Sequence, residues 1–571
     1  MNKLRTYLPF FILIIVLSTI SISLGESFTQ RNKELEKVSL GIDVVVVVFD
    51  DSGLVNTTLI GKAIRDFSVD YTCSKQNITV RYNITVLDAP RYFVEKLAKW
   101  FSINYVNRGD PDWVEKYNIS TQLHPVRWIR LENIVPFLYR LSMSVLNYYK
   151  LTGYDAIIVI IGDVDGVSRQ YYTEGRGGML VGISGWAMTG PDGVFSFYDL
   201  TVAPRPRPEK HQPFYGLGIE VSPQTVQVIW ESENITRRVE TLVKNHLITH
   251  LSGFCRNTAT LSLSIDINVI DYNGSSARIL SNFSINRLLL YLKSMAPWIN
   301  FNISISIMKA EELGDLYYIT MNSTEENWTV LNWDYISRKL WGVLDCNDRV
   351  SGETDRGLIE KYSYPIVVFA TPQPSYFTMR INRNYRINFT GVSTICYSAI
   401  SYPGYMGRVN RVGLESVIAH EVGHRLGLPH PFESPQNIIW EMDWTQTVMT
   451  YDDYAPPPFI MPGGVDGYAR WRLSLAYTLM VLSSIDEPLV RHEILSYLER
   501  GEVYRALDVS LNHLLTAYSL KDTTTITVIE TKTLKETITV TETPKRIEEK
   551  TSEIILLILL LLLFTLLLSR S

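Results

Sequence analysis

The chain has 571 residues, 46% of them hydrophobic and 20% charged, with a formal net charge of -5. That composition excludes a disordered chain, and the length exceeds what one ordinary core absorbs, so two or three domains are expected. Acidic and basic residues are spread along the sequence without a basic face or run, which argues against nucleic acid as a partner.

At the N-terminus, Lys3 and Arg5 precede an apolar run from about Leu8 to Leu24, closed by the small-x-small pattern Ser23-Leu24-Gly25. Residues 1–25 therefore read as a signal peptide; an uncleaved signal anchor is the alternative for a run this long. The chain then resembles itself. Val38-Ser39-Leu40-Gly41-Ile42-Asp43 opens a β-branched run through Asp50, and Leu261-Ser262-Leu263-Ser264-Ile265-Asp266 opens a similar run through Ile270. Each reads as a buried strand, followed by helix, a strand rich in Ile, Val and Thr, more helix, and a further core strand, Asp155 to Ile161 or Pro365 to Ala370. Agreement in order over some two hundred residues predicts a tandem pair of domains, residues 38–258 and 259–485.

Eleven Asn-x-Ser/Thr sequons run from Asn56 to Asn388 and none follows, in keeping with an extracellular, glycosylated chain. Four cysteines suit an oxidising compartment. Of the three possible connectivities, Cys73 with Cys255 and Cys346 with Cys396 is favoured, because each pair then stays within one domain.

The stretch that carries chemistry is His420-Glu421-Val422-Gly423-His424-Arg425-Leu426-Gly427-Leu428-Pro429-His430. On a helix, His420 and His424 lie one turn apart on one face and can share a metal, with Glu421 placed beside it as a general base. Gly427 falls where the helix must stop and turn back with φ > 0, which brings His430 round as third ligand. Three histidines leave a fourth position on one Zn2+ open, the mark of a catalytic site. An accidental match of all five fixed positions has a probability on the order of 10⁻⁵.

This H-E-x-x-H-x-x-G-x-x-H pattern resembles the metzincin signature of zinc metalloproteases. Metzincins also carry a Met-containing turn beneath the zinc, and Thr447-Val448-Met449-Thr450-Tyr451 is similar to it. The resemblance implies that Met449 forms a hydrophobic floor under the histidines and that Tyr451 approaches the metal as ligand or oxyanion partner, as in astacin-like and serralysin-like members. His430 is followed by Pro431 where those families have Glu, and no cysteine-switch or aspartate-switch segment is present, so the family within the clan stays unassigned. The implied fold class is mixed α/β (α+β): two tandem metzincin-like domains, each a twisted mixed sheet with a zinc helix, plus C-terminal helices and a membrane helix.

A duplicated chain should hold a second zinc helix, and His246-Leu247-Ile248-Thr249-His250-Leu251-Ser252-Gly253 keeps both histidines and the glycine. Leu247 stands in place of Glu421 and Arg256 in place of His430, so this copy is expected not to hydrolyse peptides. Two histidines at i and i+4 on an amphipathic helix are also ordinary packing residues.

Beyond the zinc stretch, Gly467 to Ser484 and Glu487 to Ala517 read as amphipathic helices packed on the catalytic domain, residues 486–521 forming a helical extension. Residues 522–552 alternate Thr with Ile, Val, Glu and Lys and read as a stalk. Residues 553–571 hold the apolar run Ile554 to Leu568 and then Arg570, a short transmembrane anchor with the bulk of the chain outside. The expectation is a membrane-anchored, cell-surface zinc endopeptidase acting on protein or peptide substrates; the alternative is a surface binding or adhesion protein built on protease-like domains.

Overall fold

Five consecutive valines, Val44 to Val48, cannot lie half in water. Successive strand side chains face opposite ways, so such a run is stable only as a central strand covered on both sides. In the computed structural model it forms the centre of β1 (Glu36–Phe49). The structure describes residues 36–73, 76–107, 126–172, 185–190, 193–201, 235–252, 258–281, 283–314, 324–325, 328–344, 346, 357–359, 362–382, 385–389, 391–394, 396–401, 413–431, 447–449, 465–518, 526–528 and 538–540.

The first half continues with α1 (Thr57–Ile64), β2 (Ser68–Cys73), β3 (Gln76–Asp88), α2 (Arg91–Ile103), β4 (Val106–Asn107), β5 (Val126–Arg130), α3 (Leu131–Tyr148), β6 (Ala156–Ile161), β7 (Ser168–Tyr172), β8 (Gly185–Gly190), β9 (Gly193–Asp199) and α4 (Ile235–Leu251). The second runs β10 (Thr258–Thr260), β11 (Ser262–Asp271), α5 (Ser276–Leu280), α6 (Ile285–Met295), β12 (Asn300–Lys309), β13 (Thr324–Glu325), β14 (Trp328–Asn332), α7 (Trp333–Val343), β15 (Gly357–Ile359), β16 (Tyr362–Ala370), β17 (Ser375–Asn382), β18 (Tyr385–Phe389), β19 (Gly391–Ser393), β20 (Ser398–Ser401) and α8 (Leu414–Arg425). Helices α9 (Gly467–Leu482), α10 (Pro488–Glu499) and α11 (Val503–Tyr518) close the folded part.

The class is mixed α/β, and the two principal sheets are built in one order. In the first, β3-β1-β6-β9 run parallel and β8 joins β9 antiparallel, with β2 added outside β3. In the second, β12-β11-β16-β20 run parallel and β19 joins β20 antiparallel. Each half also carries a small side sheet, β4-β5-β7 and β13-β14-β17-β18, in which an antiparallel pair is followed by a parallel one. The strands read from the sequence stand within a few residues of where they were expected.

Each sheet buries both faces. Val45, Val47 and Phe49 pack outward beneath α2 and α3, while Val367 and Phe369 pack outward with α7. The opposite faces share one core: Val44, Val46 and Val48 of β1 belong to the same apolar cluster as Ile265 and Ile267 of β11. A disulfide joins Cys346, after α7, to Cys396, before β20. Cys73 is disulfide-bonded as well; its expected partner Cys255 lies outside the described residues.

Four expectations are corrected here. Helix α9 is not amphipathic: every residue but Arg470 is buried, because it packs between α4 and β8 of the first half and α6 of the second. The segment expected as one helix from Glu487 divides into α10 and α11 at Gly501, whose φ of +75° the helix cannot continue through. Nor do these helices pack on the second half alone. Glu499 of α10 meets β1 so closely that a Cβ on Gly41 would lie 2.5 Å from its carbonyl oxygen, and Arg491 pairs with Glu36. Within the segment expected as a stalk, β21 (Ile526–Val528) and β22 (Ile538–Val540) pair antiparallel, and β21 lies against β12.

Among the described residues no helix is long and apolar enough to cross a membrane. Both apolar ends, residues 1–25 and 553–571, lie outside them. Because Gly41 admits no side chain against α10, Gly41→Ala is expected to cost about 1–3 kcal/mol of stability. Urea unfolding measures it, and an unchanged midpoint would contradict this packing.

Candidate metal centre

Helix α8 is held by what it buries. Leu414, Ile418, Val422 and Leu426 recur at four-residue spacing and join the shared core. In its first turn Glu415 is buried, accepting from the Ser284 N–H at 2.6 Å and pairing with Arg287 at 2.9 Å, which ties the helix start to α6.

The far end closes as the sequence predicts. Gly427 has φ +92°, its N–H donates to the His424 carbonyl at 2.8 Å, and the Leu428 N–H reaches the Gly423 carbonyl at 2.9 Å. This pair of bonds satisfies the last carbonyls of the helix and reverses the chain. His430 then arrives beside the helix.

The three Nε2 atoms form a near-equilateral triangle: 3.1 Å from His424 to His420, 3.0 Å from His424 to His430 and 3.2 Å from His430 to His420. Nitrogens sharing a tetrahedral zinc at about 2.0–2.1 Å lie roughly 3.3 Å apart, so the spacing fits such an ion. The tautomers fit too. His420 Nδ1 lies 2.8 Å from the Val448 carbonyl and His424 Nδ1 2.9 Å from the Leu428 carbonyl. A carbonyl only accepts, so each Nδ1 carries the proton and each Nε2 presents its lone pair to the centre of the triangle. Among the described residues this is the one group of three or more metal-competent side chains whose ligand atoms converge.

The turn at Thr447 to Met449 is supported from outside. Asp466, the N-cap of α9, accepts from the Thr447 hydroxyl at 2.9 Å, the Val448 N–H at 2.8 Å and the Ala469 N–H at 3.1 Å. It thereby fixes the turn whose carbonyl orients His420. Burial raises its carboxyl to about 6, against these three donors. Met449 is buried beneath the helix at Gly423, where a Cβ would lie 2.3 Å from its sulfur. Tyr451 lies outside the described residues.

Glu421 turns toward strand β19. Its Oε2 accepts from the Ser393 hydroxyl at 2.8 Å, and its Oε1 occupies the space a Cβ on Gly391 would fill, 2.2 Å away. Burial pushes this carboxyl up to about 8, and the Ser393 bond opposes the shift.

No known family model matches the chain, and no curated protein matches it.

The structure brings together His420, Glu421, His424, Gly427, His430 and Met449, all named from the sequence. Gly391, Ser393, Gly423 and Asp466 were missed. Only Gly423 had a local signal, as a helix-breaking residue inside the helix.

In the first half, His246 and His250 lie on α4, and both are fully buried. Their rings stack, 4.3 Å apart and 23° from coplanar, whereas His420 and His424 stand edge to face at 89°. His246 Nδ1 bonds the Tyr198 hydroxyl at 2.9 Å, and its Nε2 finds no hydrogen-bond partner among the described residues. Gly253 and Arg256 lie outside the described residues.

Desolvation lowers His246 to about 3 and, together with His246 and Arg472, drives His250 well below its ordinary value. In the unfolded chain these imidazoles take up protons below about pH 6.5. The folded protein takes them up only at much lower pH, so stability present at neutral pH is lost as the pH falls from about 6.5 toward 3. The double variant His246→Gln, His250→Gln is expected to flatten that loss between pH 7 and pH 4.5 in urea midpoints. An equal loss in both proteins would contradict it.

Proposed function

We propose that the chain is a zinc-dependent metallopeptidase of the metzincin type, with His420, His424 and His430 as ligands of one zinc and Glu421 as general base. One observation carries this reading: three Nε2 atoms that converge within 3.0–3.2 Å of one another, from an H-E-x-x-H helix and the turn that follows it. The lone pairs of His420 and His424, both turned to that point of convergence by their Nδ1 bonds, repel one another unless a proton or a cation lies between them. The donor set, three neutral imidazoles and no thiolate, is that of a catalytic zinc with an open position.

Bound there, zinc would act as a Lewis acid toward a peptide carbonyl and toward water. The remaining work belongs to this chain's residues. Glu421 takes a proton from the attacking water and returns it to the leaving amine nitrogen as the C–N bond breaks. Val448 and Leu428 hold the imidazoles through their carbonyls, and Asp466 holds the turn that carries Val448.

The two halves are read as tandem metzincin-like domains, supported by their common strand order, with the second catalytic and the first an altered copy. The disulfides support an oxidising compartment, in agreement with a cell-surface protein held by its C-terminal segment. A binding or adhesion protein is the competing reading, and the kept Glu421 disfavours it for the second half.

Glu421→Ala is expected to retain zinc and lose peptide cleavage by at least about a thousandfold, whereas His424→Ala loses both. Zinc analysis and a peptide-library cleavage profile check this, and full activity in the Glu421 variant would end the proposal. Asp466→Ala leaves Thr447 and the Val448 N–H without their acceptor and is expected to weaken zinc binding about 10- to 100-fold in a chelator competition. Unaltered affinity would show that the turn holds itself.

A further inference from the structure

We infer that a chain of three hydroxyls, Tyr364 to Ser398 to Ser393, fixes the Glu421 carboxylate in the orientation that proton transfer requires, so that Ser393 is a positioning residue. The inference rests on the peptidase reading of Glu421.

The chain crosses three neighbouring strands and ends on the zinc helix. Tyr364 of β16 lies 2.9 Å from Ser398 Oγ of β20, and Ser398 Oγ lies 2.7 Å from Ser393 Oγ of β19. Ser393 Oγ lies 2.8 Å from both Glu421 Oε2 and the Glu421 carbonyl oxygen. Ser393 and Ser398 are direct cross-strand partners, so the sheet itself sets their approach.

Each hydroxyl has one proton to give, which orders the chain. In the state in which Glu421 takes a proton it is ionised, and that carboxylate is the strongest acceptor within reach of Ser393, so the Ser393 proton goes to Oε2. Ser393 Oγ must then accept, and Ser398 is the hydroxyl beside it. Ser398 in turn accepts from Tyr364, a phenol that burial keeps protonated and whose one proton, 2.9 Å from Ser398 Oγ, is shared with the Thr394 carbonyl at 3.1 Å. Hydrogen bonds in series polarise one another, so the last bond to Glu421 is stronger than an isolated serine would make. With Oε2 held, and Gly391 leaving room beside Oε1, the carboxylate keeps one oxygen to take and return a proton.

The first half supplies an independent observation. Matching Leu40 to Leu263 sets Val44 against Ile267; the pairings Val44 with Ala156 with Val194, and Ile267 with Ile366 with Ser398, then put Val194 where Ser398 stands. Thr189, opposite Val194, takes the place of Ser393. Valine cannot pass a hydrogen bond along, and the same half has Leu247 in place of Glu421. Where the carboxylate is gone, the middle hydroxyl is gone with it.

The test uses the purified full-length protein loaded with zinc, and a quenched-fluorescent peptide chosen from a library for cleavage by the wild type. Ser393→Ala is expected to lower kcat about 10- to 100-fold, with KM and zinc content unchanged. Ser393→Thr, which keeps the hydroxyl, is expected to restore kcat. Ser398→Ala is expected to lower kcat less, and the double alanine variant to match Ser393→Ala alone. Should Ser393→Ala fail to fold, Ser398→Ala carries the test through its loss in kcat at constant KM. An active wild type whose Ser393→Ala or Ser398→Ala variant keeps its kcat, or in which the two losses add in full, overturns the hydroxyl chain alone. A zinc-loaded wild type that cleaves no peptide overturns the peptidase reading and the role of Ser393 with it.

Discussion

A helix can bring two imidazoles to one point but not three, and everything at this centre depends on how the third arrives and how all are kept from turning away. The chain reverses at Gly427, where two backbone bonds close α8 and deliver His430. Orientation comes from carbonyl oxygens outside the helix, Leu428 in the reversal and Val448 in the turn that carries Met449. Neither turn is free-standing. One is bonded by Tyr468, whose hydroxyl donates to the Pro429 carbonyl at 3.1 Å, and the other by Asp466, and both residues belong to the start of α9. A helix buried on nearly every side is a rigid support, because its side chains have no room to rearrange.

That support is shared between the halves. The ring of Tyr468 also packs on His250 at 5.5 Å, so one side chain touches both the helix of His246 and His250 and the loop that leads to His430. Tyr477 reaches back to the Thr260 carbonyl between the two halves at 2.9 Å, and α10 closes on β1. The first half is thus built into the foundation of the centre. Under the proposed duplication, the second copy kept the convergent imidazoles and the first kept the packing: His246 and His250 stack as buried neutral rings instead of converging on a common point.

Much of this was legible in the sequence because it is local. The spacing of His420, His424, Gly427 and His430 encodes a helix face and a stop, and the valine run of β1 encodes burial on two sides. The matching of β1 with β11 also extended to strand order. What could not be read depends on residues distant in sequence. Asp466 has no motif, and its role appears only when α9 meets the Met turn; Ser393 matters only through pairing with Ser398 and the approach of Glu421. Helix α9 was misjudged as amphipathic because its polar side chains, Ser474 and Thr478, bond carbonyls of their own helix at 2.7 and 2.8 Å and so enter the core at little cost.

The central claim is a single zinc held by three imidazoles in the second half. X-ray absorption at the zinc edge, combined with metal analysis of the purified chain, tests it most directly. The account expects one zinc per chain with three nitrogen neighbours at about 2.0–2.1 Å, abolished by His424→Ala and untouched by the His246→Gln, His250→Gln double variant. A zinc that survives His424→Ala, or a loss of metal on replacing the first-half histidines, would contradict it.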